Sequence, residues 1–356
     1  MTYMKTAMSE NKSLYDISWQ VTEKEYRENK ALSYSTLAKF KRSGFNELNH
    51  LFDKIESPSL TFGSAVDSII TGGKEEFDER FLVAKFPSVR DSIVAIVKGL
   101  FANFKDNFSN IKDIPDDVVI NYAAQYNFQN NWKPETRARV IKEEGCEYYK
   151  LLYISEDKTI LDTDTYQEIC NAVDALRNSP ATKWYFQPDN PWDNIQRFYQ
   201  LKFRTQLNGI WYRCMADLII VDHNTKTIIP VDLKTSFKAE WDFYKSFIDW
   251  DYHIQARLYW RIIRDVLDKD PVFKDYKLED YRFIVVCKST LKPLVWEFDK
   301  TQSVGAITYG KLNQIVFPDP EIIGRELYTY LSENRSVPIN IDELNPNSIS
   351  YWLNTL

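Results

Sequence analysis

The sequence predicts a mixed α/β fold, and three observations predict it. Residues 209–235, GIWYRCMADLIIVDHNTKTIIPVDLKT, carry two apolar runs, Leu218-Ile219-Ile220-Val221 and Thr227-Ile228-Ile229, around the polar segment Asp222-His223-Asn224-Thr225-Lys226. That is a strand, turn, strand pattern. Residues 252–266 then repeat apolar side chains at helical spacing, with Ile254, Leu258 and Ile262 as the core stripe. Two later runs, 281–287 and 294–298, read as further strands.

In chain order, residues 1–30 are polar and charged and read as a loose arm with a helix around 22–29. In the next stretch Ser33 or Ser35 caps a helix with Leu37 and Phe40 inward, ending near Gly44. Residues 62–70 read as a second helix, whose Gly63, Ser64 and Ala65 allow close packing. Helical candidates follow at 92–104 and 135–150, separated by an Asn/Gln/Tyr-rich stretch at 121–132. Residues 160–179 form a helix with Tyr166, Ile169, Val173 and Leu176 on one face. Residues 193–206 alternate as a strand with Phe198, Gln200, Lys202 and Arg204 on one side, and 237–247 form an aromatic, charged loop leading to a helix. A helix begins at 304–312, and the polar segment from Asn334 ends in Tyr351-Trp352-Leu353, apolar enough to dock on a neighbour.

Composition sets the outer limits. At 356 residues and 44% hydrophobic, the chain can build one large domain or two small ones. No apolar run reaches the roughly 18–20 residues of a membrane span. The start, MTYMKTAMSENKSLYD, has no apolar core of a secretory signal. Cys146, Cys170, Cys214 and Cys287 are scattered without Cys-x-x-Cys spacing, which argues for a reducing, cytoplasmic compartment and against a zinc or iron–sulfur site. A net charge of -6 gives no global attraction to nucleic acid, so a DNA enzyme of this balance needs a local basic surface. Residues 305–311 fit the spacing of a phosphate-binding loop. Leu312 stands where Ser or Thr would ligate Mg²⁺, however, and no buried strand precedes Gly305, so an ATPase is rejected. His50, His223 and His253 form no metal spacing, and there is no Gly-x-Ser-x-Gly elbow.

The chemistry comes from register. A turn centred between Asn224 and Thr225 makes paired residue numbers sum to 449, which sets Asp217 opposite Asp232 with Cβ atoms roughly 4.5–5.5 Å apart. In the second strand Val231 and Leu233 face one way and Asp232 and Lys234 the other. Two carboxylates and an ammonium at a strand end suit Mg²⁺, with Mn²⁺ as a substitute, since Mg²⁺ takes one or two carboxylates and leaves positions for water and phosphate. Lys234 then orients the attacking water or neutralises phosphate charge. The competing reading is an ordinary solvated strand face. Asn-Thr is also a weak turn signal, and a one-residue slip would turn one strand's side chains over.

Asp217 followed by Asp232-Leu233-Lys234 resembles the PD-(D/E)XK nuclease signature, and Gln255-x-x-x-Tyr259 resembles the Gln-x-x-x-Tyr element of its RecB-like and lambda-exonuclease-like branch. The likeness is nearest to the RecE-type (exonuclease VIII-like) phage recombination exonucleases and covers about 31–86 and 151–315. It implies a restriction-endonuclease-like core at 31–333 with a helical insertion at about 87–150, a 1–30 arm and a 334–356 tail. It further implies Mg²⁺-dependent hydrolysis of DNA, 5′ to 3′ from duplex ends. Also implied are a ring-shaped homo-oligomer, a single-strand annealing protein as partner, no membrane, and the cytoplasm of a bacterial host.

Residue by residue, the resemblance assigns Asp217, Asp232 and the Leu233 carbonyl to the metal, Lys234 to the nucleophile and Gln255 to the nucleophile or phosphate. Asp67, in Gly63-x-x-x-Asp67, stands where the family carries a His ligand, with a surface carboxylate as the alternative. Ser35, Lys41 and Arg42 fall near where the family holds a DNA 5′ end, and a capped surface helix explains them equally well. Lys202, Arg204 and Arg213 form the nearest basic patch. Tyr259 either fixes Gln255, touches DNA or belongs to the core. Relatives often carry an additional Glu ligand where this chain has only Gln196 or Gln200, and neither is assigned. Two rival readings remain, a structure-specific endonuclease with the same site and a noncatalytic DNA-binding or assembly protein with the same fold.

Overall fold

The structure, a computed structural model, describes residues 12–53, 57–190, 192–298, 306–309 and 312–332. These fall into two compact units, one within 1–71 and 171–356, the other within 72–170.

The first unit begins with α1 (Glu23–Glu28), where Thr22 Oγ1 accepts the Glu25 N–H at 3.2 Å and the Glu25 carboxylate accepts the Thr22 N–H at 2.8 Å. The arm expected to be loose is docked over its described part. Leu14 and Tyr26 are buried, and the Trp19 N–H donates to the Lys202 carbonyl at 2.7 Å. Next, α2 (Tyr34–Ser43) starts after Ser33 and stops at Gly44, whose φ of 59° is easy for glycine alone. Then α3 (Pro58–Thr71) buries Phe62, Ala65, Val66 and Ile70.

The second unit carries α4 (Gly73–Arg80), β1 (Phe81–Val83), α5 (Asp91–Phe104), α6 (Asp116–Gln125), α7 (Pro134–Ile154) and β2 (Thr159–Leu161), with β1 and β2 parallel. Its core joins Ile93, Ile96, Val97 and Leu100 of α5 to Ile141 and Tyr149 of α7. A Cβ on Gly145 would lie 2.6 Å from Val97 Cγ2, so the two helices touch where α7 has no side chain. The sequence reading found α5 and α7 and missed α6, which buries only Val119 and Ala123. The chain leaves through α8 (Thr163–Asn178), which starts later than expected because 159–161 pair as β2.

Back in the first unit come α9 (Lys183–Phe186), β3 (Ile195–Leu207), β4 (Ile210–Asp222), β5 (Thr227–Ser236), α10 (Phe243–Asp249), α11 (Tyr252–Asp268), β6 (Lys277–Leu278), β7 (Tyr281–Cys287) and β8 (Pro293–Phe298). The sheet runs β3-β4-β5-β7-β8, with β6 also paired to β5. The first three strands are antiparallel, β7 is parallel to β5, and β8 is antiparallel to β7. Parallel neighbours need a crossover, and α11 lies within it, burying the predicted stripe Ile254, Leu258 and Ile262 against the sheet core. The fold is therefore mixed α/β, a central mixed sheet flanked by helices, as expected.

Two local expectations fail. The helix expected at 304–312 is instead two antiparallel strands, β9 (Ala306–Tyr309) and β10 (Leu312–Val316), in keeping with the strand preference of Ile307, Thr308 and Tyr309. In β3, Phe198 is buried with Leu201 and Phe203 rather than alternating with Lys202 and Arg204, because Gln200 takes a φ of 52° and breaks the alternation. The chain then reaches α12 (Pro320–Ser332). Residues 1–11, the 334–356 tail with Tyr351-Trp352-Leu353, and Gly305, Gly310 and Lys311 of the phosphate-loop-like stretch lie outside the described residues. Among the described residues no helix is long and apolar enough to cross a membrane.

Candidate active site

The β4–β5 hairpin has the register counted from its turn, Asp222 opposite Thr227 through Leu218 opposite Val231. It stops one pair short of the two aspartates. Asp217 does not face Asp232 in the ladder; its Oδ2 accepts the Leu233 N–H at 2.8 Å. On the other edge the β3–β4 ladder also skips Asp217, running from Tyr199–Leu218 to Leu201–Ala216 past the positive-φ Gln200. Ladder breaks of this kind re-aim side chains at functional sites. The carboxylates stay within electrostatic reach even so. Burial, then the neighbouring Asp232 and Asp67, push the Asp217 carboxyl well above its usual range. A strand residue's N–H and C=O point to the same edge, so the Leu233 carbonyl shares Asp217's edge, past the end of the ladder.

Asp232 is only 2% exposed. Its Oδ2 accepts from Gln255 Nε2, and the Lys234 ammonium lies against Oδ1. Gln255 is buried on the first turn of α11, and its Oε1 has no hydrogen-bond partner. Lys234 is walled by aromatic rings, its Nζ 5.0 Å from the Tyr252 centroid and 5.9 Å from that of Phe283. Burial favours the neutral amine, but Asp232, Tyr252, Asp217 and Tyr34 together outweigh it and raise the lysine above its ordinary value. Lys234 is therefore a fixed cation at neutral pH.

Asp67 reaches the same place from α3. Its Oδ2 accepts Gln200 Nε2 at 2.9 Å. Gly63, one turn earlier, lets α3 approach β5, since a Cβ there would lie 3.0 Å from Thr235 Oγ1. Sequence reasoning left Gln196 and Gln200 unassigned, and the structure separates them. Gln196 is held by His223 Nε2 at 2.8 Å, whereas Gln200 binds Asp67. Only the irregularity at Gln200 distinguishes the two, and no hydrophobic pattern encodes it. Tyr252 and Tyr281, which line Lys234 and Asp232, were also missed as site residues because each reads as an ordinary core aromatic.

The residues assigned to DNA contacts divide. Ser35 is exposed at the start of α2, its Oγ 2.9 Å from that of Ser33. Lys41 pairs with Asp251, and Arg42 donates to the Trp250 carbonyl at 3.3 Å with its guanidinium 5.5 Å from the Trp250 ring. Lys202 is partly exposed, and Arg204 packs 4.3 Å from the Trp211 ring. Arg213 corrects the expectation. It is 7% exposed, donates to the Ala31 carbonyl at 3.1 Å and lies 4.5 Å from the Tyr26 ring, so its charge is spent inside the fold. Arg204 and Arg213 pair across the ladder, and Arg213 sits four residues from Asp217, roughly 13 Å along a strand. They do not form a patch at the carboxylates. Tyr259 is likewise corrected as a DNA contact. It is buried in the core, its ring edge-on to Tyr281 at 6.1 Å.

Among the described residues no group of three or more His, Cys, Asp or Glu side chains is arranged to hold a metal ion. What converges is a smaller hard-donor set, Asp217 and Asp232 with the Leu233 carbonyl, and Asp67 near enough to act on Asp217. That set fits Mg²⁺, which commonly takes one or two carboxylates. The mutual repulsion at Asp217 and the unpartnered Gln255 Oε1 are the two features a cation and its water would relieve.

No family model matches the chain, and no curated protein matches it significantly. The crystal structure of a "Putative exonuclease" from Eubacterium rectale aligns with it over 95% of this chain and 88% of that chain, at a TM-score of 0.41 and 11% identity.

Proposed function

We propose that the chain is a metal-dependent nuclease that hydrolyses DNA phosphodiester bonds, working 5′ to 3′ from duplex ends. The observation that carries this reading is buried Asp232, held between Lys234 and Gln255, beside Asp217 at the point where the β4–β5 ladder ends and the β3–β4 ladder skips a pair. A solvated strand face would not bury a carboxylate, an ammonium and an amide together.

Asp217, Asp232 and the Leu233 carbonyl would hold Mg²⁺ or Mn²⁺, with Asp67 as a further carboxylate. When bound, the ion supplies Lewis-acid polarisation of the phosphate and a more acidic water. Lys234 lies against the Asp232 carboxylate as a cation. It lends positive charge to the phosphate oxygens as negative charge grows on them, inside a pocket that keeps its ammonium partly desolvated. Gln255 orients. Its Nε2 fixes Asp232, which leaves Oε1 as the acceptor for a hydrogen of the attacking water. Gln200 Nε2 donates to Asp67 beside these groups.

Duplex DNA labelled at either 5′ or 3′ ends, incubated with Mg²⁺ and compared with Asp232→Ala, tests the reading. Release of the 5′ label as mononucleotides by wild type alone is expected. Internal cuts abolished by Asp232→Ala would replace the exonuclease by an endonuclease. Failure of wild type to cut under Mg²⁺ or Mn²⁺ would overturn the catalytic reading.

A further inference from the structure

The segment between the motif strand and α11 treats its aromatic residues unequally. Phe243 and Phe247 of α10 are buried in the core, whereas Phe237, Trp241 and Trp250 are 61%, 67% and 53% exposed. The fold buries aromatics here and leaves these three out. Their placement follows the site. Phe237 comes directly after β5, which carries Asp232 and Lys234. Trp250 comes two residues before Tyr252, whose ring meets the Lys234 ammonium, and the Trp250 carbonyl accepts the Tyr34 hydroxyl at 2.6 Å. A Lys238–Asp249 ion pair at 2.5 Å ties the two ends of the segment together. Two cations lie over rings of the set. Lys288 Nζ is 5.2 Å from the Phe237 centroid and 4.5 Å from that of Phe62, and Arg42 is 5.5 Å from the Trp250 ring.

We propose that Phe237, Trp241 and Trp250 form a stacking platform for unpaired bases, so that the strand entering the site is held single-stranded beside it. The proposal rests on the reading of the site as a phosphodiester-hydrolysing centre and adds the form of its substrate. Aromatic faces interleaved with cations are how sequence-tolerant single-strand binding works, because every base has a face to stack. A protein partner fits less well. The same segment of chain carries ion pairs, Lys245 with Asp242 and Lys238 with Asp249, and the centres of protein interfaces are depleted of charge.

Binding is read by anisotropy of fluorescein-labelled oligo(dT) in EDTA, where no cleavage occurs. Phe237→Ala, Trp241→Ala and Trp250→Ala should each weaken binding on the order of tenfold. The salt dependence should stay unchanged because no charge is removed, and Trp250→Phe should retain most of the affinity. Unchanged oligo(dT) affinity in well-folded alanine variants overturns the platform. So does a wild-type oligomer that the variants convert to monomers while oligo(dT) affinity holds, since the rings would then be a contact between copies. Failure of the hydrolase reading looks different. Wild type would bind oligo(dT) through these rings yet cleave no DNA with Mg²⁺ or Mn²⁺, and the platform would stand.

Discussion

Lys234 sits against Asp232 with the Tyr252 and Phe283 rings around it, and its charge state decides its role. Desolvation disfavours the ammonium, and Asp232 together with Tyr252, Asp217 and Tyr34 more than compensates. Lys234 therefore acts as a cation beside the carboxylates. Lys234→Met keeps the packing of the stem and removes the charge. It should lower single-turnover DNA cleavage about 10²–10³-fold, the scale of losing one electrostatic stabiliser. Divalent-ion affinity should rise, because a positive charge leaves the carboxylates. Retention of the full rate would show that the cation is not used. Asp217 and Asp232 were legible as a pair from the strand alternation and the turn. Their actual relation, Asp217 bonded to the Leu233 amide, was not, because it depends on where pairing stops.

Helix packing determines whether Asp67 reaches the site. Gly63 lets α3 lie close on β5, and a valine there would drive branched atoms into Thr235. Gly63→Val should cost about 1–3 kcal/mol in denaturant unfolding, the usual penalty of overpacking. It should also weaken Mn²⁺ binding by withdrawing Asp67, and a rise in stability would contradict the packing argument. Elsewhere, Arg261 of α11 makes paired contacts of 2.6 Å to both Asp319 oxygens and one of 2.9 Å to Glu321 of α12. Burial raises the Asp319 carboxyl, but Arg261, the Glu321 N–H and Arg257 together outweigh it and the group is lowered from its usual 3.8. A lowered carboxylate stabilises the fold above its unfolded value and loses that contribution as pH falls through its folded value. Arg261→Ala should therefore cost about 1–2 kcal/mol at pH 7, with the gap to wild type closing below about pH 4. Denaturant melts across pH measure this, and a gap independent of pH would refute it. The long periodic helices here were readable, α11 above all. The segment at 304–312 was misread because its pattern is too short to separate the two periods, so its β-branched and aromatic residues outweighed the helical spacing.

At the scale of the molecule, the main strands and the helix at 252–266 were legible because their patterns agree with each other, whereas the order β3-β4-β5-β7-β8 comes from the structure. The basic surface did not follow. Charged residues on a strand look alike in sequence whether they face solvent or, like Arg213, donate into the fold. With a net charge of -6, attraction to a polyanion has to be local. Among the described residues, Lys234 lies over the Tyr252 ring, Arg42 over Trp250 and Lys288 over Phe237. The account stands or falls on whether the carboxylates around Asp232 hold a divalent ion. Calorimetric titration of Mn²⁺ into wild type and into an Asp217→Asn, Asp232→Asn double variant measures that directly. Saturable binding by wild type that the double variant loses is the predicted result. Absence of saturable binding in wild type, or the same binding in both, would contradict it.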